Sequence, residues 1–169
     1  TQVCDKQNGL IIINSNNGIT FQWQKSIDEV NWFDISDNAT YSGSNTNSLK
    51  ISDVNPTMSG EFYRVKMSKS GNSCGRISNT TKLLINPLPT VSAGPNAAYC
   101  IGGSATLSAS GANTYTWSPA TGLSSTTGAS VTASPGSTTT YTVSGTSAAG
   151  CVNTSTVTVT VNPIPTVNA

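Results

Sequence analysis

The sequence predicts an all-β fold of two tandem β-sandwich modules, and three observations lead to that prediction. Val, Ile and Thr alternate with polar residues in short runs, which is the pattern of half-buried strands. Gly, Pro, Asn and Ser separate these runs, and no helical pattern of ordinary length occurs. A proline-containing linker appears twice, so the chain divides into two parts. Short strands separated by turns in this way are typical of a sandwich.

The strand predictions follow the alternation of apolar and polar residues. Phe21 and Trp23 alternate with Gln22 and Gln24, for example, so one face of that run is apolar. The first half has predicted strands at residues 10–13, 19–24, 30–35, 48–52, 62–68 and 77–85. The second half has predicted strands at residues 105–109, 115–117, 131–133, 141–143 and 157–161.

The repeated linker predicts the module boundaries. The segment Asn-Pro-Leu-Pro-Thr-Val at residues 86–91 recurs as Asn-Pro-Ile-Pro-Thr-Val at residues 162–167. Proline fixes φ and has no backbone N–H, so alternate prolines end a strand and stiffen the connection that follows. We therefore expect one module at residues 1–87 and a second at residues 88–163. Residues 164–169 are expected to begin a further repeat or linker.

One order of landmark residues occurs in both halves: a Cys, a Trp, a Tyr and a second Cys. The two sets are Cys4, Trp23, Tyr63 and Cys74, then Cys100, Trp117, Tyr141 and Cys151. We predict that the Trp and Tyr of each set are core residues. Of the three connectivities that four cysteines allow, Cys4–Cys74 and Cys100–Cys151 keep each disulfide inside its module. Each would contribute roughly 4 kcal/mol in the chain-entropy account. Four buried free thiols are the alternative.

The charged residues are few and confined to the first half. All eight Lys and Arg and all seven Asp and Glu lie between Asp5 and Lys82, and the chain has no His. Acid–base catalysis needs a group that titrates near the working pH, which the second half lacks. A net charge of +1 without basic clusters suits neither nucleic acid nor an anionic membrane surface. We therefore expect no enzyme activity, no cofactor, no nucleic-acid partner and no membrane insertion.

Close carboxylates and Ser–Lys neighbours are the remaining candidates for chemistry. The pairs Asp28-Glu29 and Asp34/Asp37 could offer oxygen ligands to Ca²⁺, but Asp28-Glu29 sits between two strand patterns as a turn would. We favour the turn and predict no metal site. Lys25 and Ser26 directly follow the predicted strand at 19–24, and adjacent residues of an extended chain face opposite sides, so they are not a catalytic pair.

An aromatic platform for a sugar is the one binding site that the residues suggest. Trp32, Phe33 and Tyr41 are close in sequence, and consecutive residues of a strand cannot both point inward. The alternative, which we favour, is an edge strand packed by a loop or against a neighbouring module.

Module one resembles an immunoglobulin domain in its landmark residues. Trp23 is followed by Ser-Gly-Glu-Phe-Tyr-Arg-Val at residues 59–65. The resemblance implies that Trp23 lies on the third strand and that Tyr63 opens the penultimate strand. Immunoglobulin domains carry a Cys two residues after that Tyr, whereas this chain has Val65 and Val143. The resemblance therefore implies that the usual inter-sheet disulfide is absent.

Module two contains three characteristic motifs: Tyr-Thr-Trp-Ser-Pro-Ala-Thr-Gly-Leu-Ser at 115–124, Thr-Thr-Tyr-Thr-Val at 139–143 and Gly-Cys at 150–151. In these motifs the module resembles repeats of very large surface proteins of gliding bacteria. Such gliding-motility adhesins are exported by the type IX secretion system.

The resemblance implies a structural and adhesive repeat of a secreted cell-surface protein, in which neighbouring repeats of the same chain are the partners. Such a repeat would be a stiff spacer that presents a distal adhesive tip. A glycan-binding module for surface polysaccharide, and an accessory domain of a secreted hydrolase, are the alternatives.

Overall fold

The computed structural model describes residues 1–14, 18–69 and 71–165, and the side chains of residues 72–74 are outside the description. The predicted all-β fold is confirmed. Sixteen strands and one short 3-10 helix, Pro56–Met58, make up the regular structure of the described residues. The chain divides into two compact units, Thr1–Pro87 and Leu88–Ala169.

Unit 1 is a sandwich of short strands. Its strands are β1 (Gln2–Cys4), β2 (Gly9–Ile12), β3 (Ile19–Ser26), β4 (Phe33–Asp34), β5 (Tyr41–Ser42), β6 (Ser48–Ile51), β7 (Phe62–Lys69), β8 (Asn72–Ile77), β9 (Thr81–Lys82) and β10 (Leu84–Asn86). One sheet has the order β2-β6-β5 and the other has the order β4-β3-β7-β8, with β9 also pairing with β7. β1 pairs in parallel with β10.

The core of unit 1 forms where the apolar faces of these sheets meet. Trp23 of β3 lies opposite Val65 of β7, and both are buried. Leu49 and Ile51 of β6 supply the other layer and are fully buried. The alternation of β3 and β7 therefore sends every second side chain into one core, as period-two patterning requires.

Unit 2 repeats the architecture with fewer and longer strands. Its strands are β11 (Ala97–Cys100), β12 (Ala105–Ser108), β13 (Thr114–Ser118), β14 (Ser130–Ala133), β15 (Thr139–Thr146) and β16 (Val152–Asn162). The sheet β11-β16-β15-β13 packs over the pair β12-β14. Trp117, Tyr141 and Val143 point into the core between them and are buried.

The first and last strands are neighbours in each unit. In unit 1, Gln2 lies beside Leu84 and Cys4 beside Asn86. In unit 2, β11 pairs in parallel with the end of β16, where Cys100 lies beside Asn162. The strand alternation did not predict either parallel pair.

Two predicted strands of unit 1 differ from the structure. The predicted strand at 30–35 shrinks to β4, because the carboxylate of Asp28 accepts hydrogen bonds from the backbone N–H groups of Val30 and Asn31 and folds the chain into a turn. The predicted strand at 77–85 is interrupted between β8 and β10. There the hydroxyl of Ser78 takes the place of a backbone carbonyl and accepts a hydrogen bond of 3.0 Å from the N–H of Val65.

The predicted disulfide between Cys100 and Cys151 is wrong. Cys100 is a free, exposed thiol, whereas Cys151 is buried and disulfide-bonded. Cys100 pairs with Asn162 at the far end of β16, and Cys151 immediately precedes the start of that strand. At about 3.3 Å per residue the two ends are roughly 30 Å apart, and a disulfide requires Cα atoms within about 7 Å.

The other cysteine predictions stand differently. Cys4 is disulfide-bonded. The side chain of Cys74, its predicted partner, lies outside the described residues. The predicted start of a further repeat also lies partly outside them, since the description ends at Pro165.

Candidate binding surface

The outward face of the β3–β7 pair carries a polar network that begins at a buried glutamine. Gln24 of β3 lies opposite Arg64 of β7, and its side chain is only 3% exposed. Its Oε1 accepts a hydrogen bond of 2.9 Å from Nε of Arg64. Its Nε2 donates a hydrogen bond of 2.7 Å to Oδ1 of Asp34. Gln24 therefore fixes one cation and one carboxylate over the sheet.

Trp32 covers this network. The guanidinium carbon of Arg64 lies 3.9 Å from the centroid of the Trp32 ring, which is stacking distance for a cation on an aromatic face. The indole Nε1–H donates to the carbonyl oxygen of Glu29 at 3.0 Å, so the ring is held from its other end. Arg64 is consequently fixed by a hydrogen bond on its edge and by a ring on its face.

Two further cations share this face of the sheet. Lys66 follows Arg64 by two residues on β7, so it points the same way, and its Nζ lies 3.4 Å from Oδ1 of Asp34. On the other side of Arg64, Phe62 points outward too, and Nζ of Lys82 lies 5.0 Å from its ring centroid. The face thus combines three cations and two aromatic rings, and among the described residues Asp34 is the only carboxylate in contact with these cations.

The predicted platform of Trp32, Phe33 and Tyr41 is not one surface. Phe33 lies opposite Lys25 and is 64% exposed, whereas Trp32 contacts Arg64 on the opposite face of the sheet. Tyr41 is only 7% exposed and belongs to the core. The suggestion that Tyr41 belongs to a ligand-binding surface is therefore wrong, because its ring packs in the core of the sandwich.

A second polar network lies on the core side of the same sheet. Nζ of Lys25 is 3.3 Å from the hydroxyl of Tyr41 and 3.5 Å from Oε1 of Glu61. The Tyr41 and Tyr63 hydroxyls are 3.3 Å apart, and Tyr63 donates to Oε2 of Glu61 at 2.5 Å. Burial, followed by the Glu61 hydrogen bond, raises the pKa of Tyr63 far above its usual value. The pKa of Lys25 is also raised: burial lowers it, but Tyr41 and Glu61 outweigh that effect.

Two further carboxylates, those of Asp28 and Asp37, have structural roles. Asp28 accepts hydrogen bonds from Asn31, Val30 and Ser26, and these hold its pKa well below the usual range. Asp37 accepts from the backbone N–H groups of Ser44 and Gly43, and the Ser44 contacts lower its pKa most.

The residues considered from the sequence for catalysis and metal binding have the following contacts. The hydroxyl of Ser26 donates to Asp28 at 2.9 Å, while Lys25 points to Tyr41 and Glu61. Within residues 1–14, 18–69 and 71–165, no three His, Cys, Asp or Glu side chains come together as a metal site would require. Over the same residues, no helix has the length and apolar character needed to cross a membrane.

The four predicted core aromatics are buried in the positions that the two modules share. Trp23 and Trp117 each donate an indole hydrogen bond of 2.9 Å, to the carbonyl oxygens of Thr46 and Gly128. The Tyr141 hydroxyl donates to a backbone carbonyl, whereas that of Tyr63 reaches a carboxylate. Sequence reasoning missed Arg64 and its neighbours, although their alternation in Phe-Tyr-Arg-Val-Lys at residues 62–66 marks them as outward-facing.

Two sandwiches of this topology, each with a buried Trp and Tyr at matching positions, define immunoglobulin-like domains. Residues 1–87 match the family described as "Domain of unknown function (DUF8696)". This match covers more than half of the chain, so the chain belongs to that family. Residues 87–163 match the Ig-like domain described as CHU_C associated. No curated protein matches the chain.

Solved structures that are similar to the chain share little sequence identity with it. The N-terminal four Ig domains of Dscam1 isoform 6.9 share 13% identity, with a TM-score of 0.46 over 96% of this chain and 43% of that chain. The titin fragment A168169 shares 15% identity, with a TM-score of 0.39 over 95% of this chain and 93% of that chain. This chain spans less than half the length of the Dscam1 fragment.

Proposed function

We propose that the chain is a non-catalytic spacer segment of a bacterial cell-surface adhesin, which carries load and holds a distal adhesive tip away from the cell. The observation that supports this most directly is the parallel pairing of first and last strands in both immunoglobulin-like units. The neighbouring repeats of the same chain are its partners in this role.

Parallel terminal strands resist a stretching force well. Tension pulls the first strand of a unit toward its beginning and the last strand toward its end. Because the two strands are parallel neighbours, these pulls are opposed along the strand axis, and the hydrogen bonds between them are loaded together. Strands pulled apart from one end would instead lose their bonds one at a time.

The path of the chain through unit 2 supports the spacer role. Nδ2 of Asn153, at the start of β16, donates a hydrogen bond of 3.0 Å to the carbonyl oxygen of Pro89, where the chain comes into the unit. The chain leaves after Asn162, at the other end of β16. At about 3.3 Å per residue the unit separates these points by roughly 30 Å. One module therefore adds its full length to an array.

Two features support an extracellular location. Cys4 and Cys151 are disulfide-bonded, and disulfides persist in oxidising compartments. The outward face of unit 2 presents threonine hydroxyls, such as Thr140 and Thr158 at 2.9 Å from one another, and no charged side chain. Such a surface has no charge–charge interactions for salt to screen, which suits a protein exposed to changing surroundings.

Force spectroscopy of the chain tests the load-bearing role. The N–H of Ile101 donates a hydrogen bond of 2.9 Å to the carbonyl oxygen of Asn162 beside the β11–β16 pair. Ile101→Pro removes that donor, and Ile101→Ala is the matched control because it keeps the N–H. We expect Ile101→Pro to lower the unfolding force of unit 2 and Ile101→Ala to leave it unchanged. Equal unfolding forces for all three proteins would count against the role.

Stiffness and location need their own experiments. Small-angle scattering is expected to give an extended particle, and replacement of Pro87 and Pro89 by Gly is expected to make it more flexible. Units that tumble independently in the unsubstituted protein would contradict the spacer role. Antibody labelling of intact cells is expected to detect the protein at the surface, and labelling only after lysis would contradict the location.

A further inference from the structure

We infer that the outward face of the β3–β7 pair in unit 1 binds the carboxylates of an acidic polysaccharide, with Arg64 as the anchoring residue. We call this surface, which is formed by Trp32, Gln24, Arg64 and Lys66, the arginine face. It differs from the aromatic platform suggested by the sequence, and it goes beyond the spacer role.

The donors of Arg64 are only partly used within the protein. Its Nε donates to Gln24, and no described residue accepts from its two terminal nitrogens. Among the described residues, no buried side-chain nitrogen or oxygen lacks a hydrogen-bond partner. The terminal nitrogens of Arg64 are therefore not fully buried. They present the planar fork of N–H groups that pairs with the two oxygens of a carboxylate.

The guanidinium is held in place before any ligand arrives. Gln24 is buried and grips its edge, and the Trp32 ring stacks on its face at 3.9 Å. Trp32 is itself fixed by its hydrogen bond to Glu29. A side chain that is already ordered loses little conformational entropy on binding, so more of the interaction energy appears as affinity.

The charges of the face favour an anion. Arg64 and Lys66 alternate along β7, so their Cα atoms are about 7 Å apart on one side of the strand. Lys82 lies on the same side, over Phe62. Asp34 is the only carboxylate in contact with these cations among the described residues, and it already accepts from Gln24 and Lys66. The excess of positive charge is therefore available to a ligand.

A carboxylated sugar polymer fits this face better than nucleic acid does. The face has only three cations, and the carboxylate of Asp34 lies beside Lys66. The whole chain has a net charge of only +1. Nucleic-acid surfaces need a far more extensive basic stripe, because affinity comes from many phosphate contacts. Uronic acids carry one carboxylate per sugar, and their apolar ring faces suit the neighbouring Trp32 and Phe62.

Binding of the full chain to polygalacturonate, and to the same polymer with methyl-esterified carboxylates, tests the inference by calorimetry. We expect binding to the free acid and none to the ester. Arg64→Ala should weaken binding at least about tenfold, because a charge-assisted pair is lost. Arg64→Lys should recover only part of it, since Lys lacks the planar fork.

Two further variants make the outcome decisive. Lys66→Ala lies on an exposed position and tests the face without disturbing the buried Gln24, and we expect binding to weaken several-fold. Lys50→Ala, on β6 of the other sheet, is the matched control and should bind like the parent. Equal binding of the acid and the ester, or unchanged binding by Arg64→Ala and Lys66→Ala, would overturn the inference. So would tighter binding of single-stranded DNA than of polygalacturonate.

Discussion

The hydroxyl of Tyr141 donates a hydrogen bond of 2.6 Å to the carbonyl oxygen of Thr121, which precedes it by 20 residues. Tyr63, at the matching position of unit 1, donates instead to the carboxylate of Glu61. One landmark position thus ties a loop to the penultimate strand in unit 2 and completes a charged network in unit 1.

This difference predicts unequal effects of removing the two hydroxyls. Tyr141→Phe should lower the free energy of unfolding of unit 2 by about 0.5–1.5 kcal/mol, because Thr121 is exposed and water can replace the lost donor. Tyr63→Phe should lower that of unit 1 by about 1.5–3 kcal/mol, because the lost bond went to a charged group. Hydrogen exchange, read separately for peptides of each unit, measures both values. An effect of Tyr141→Phe as large as that of Tyr63→Phe would contradict the assignment.

The distribution of charge predicts that only unit 1 responds to acid. Hydrogen bonds from Asn31 hold the pKa of Asp28 low, and those from Ser44 do the same for Asp37. Their folded-state pKa values lie below the unfolded value of about 3.9, so the stability that they contribute is present above about pH 4 and is lost as the pH falls further. Residues 88–165 contain no charged side chain, so unit 2 should keep its stability.

Thermal unfolding followed by hydrogen exchange at about pH 3, 5 and 7 checks this prediction. The variant Asp28→Asn, Asp37→Asn is the control: it should be less stable than the parent at neutral pH and should flatten the acid response of unit 1. Equal loss of stability in both units on acidification would show that some other group controls the response.

A glycine on a strand of unit 2 lies closely against the chain that comes into the unit. A Cβ on Gly145 of β15 would lie 2.6 Å from a methyl carbon of Val91 and 2.7 Å from Cβ of Ala112. Gly145→Ala should therefore destabilise unit 2 by about 1–3 kcal/mol through overpacking. Gly136→Ala is the matched control, because nothing lies within 4 Å of its added Cβ. Chemical denaturation measures both, and a harmless Gly145→Ala would contradict this packing.

Local patterns predict the parts of this fold that depend on local chemistry. The alternation around Trp23 and Trp117 identifies strands because a buried face demands every second residue. The role of Arg64 could not be predicted in this way. It depends on the contact with Trp32, which is distant in sequence, and no spacing in the sequence encodes that contact. The predicted Cys100–Cys151 disulfide was wrong for the same reason. The parallel register of β11 on β16, which separates Cys100 from Cys151, is a long-range choice.

The free thiol of Cys100 gives the last prediction. Alkylation of the native, unreduced protein should label Cys100, which is exposed, and should leave Cys4 and Cys151 unlabelled until a reductant is added. Cys100→Ser should remove that label and change the free energy of unfolding little, because the side chain packs against no core. Cys151→Ser should lower the free energy of unfolding by about 2–4 kcal/mol, since it breaks a disulfide. Peptide mass mapping reads the labels and the linked peptides together, and recovery of a Cys100–Cys151 peptide would contradict the register of β11 on β16.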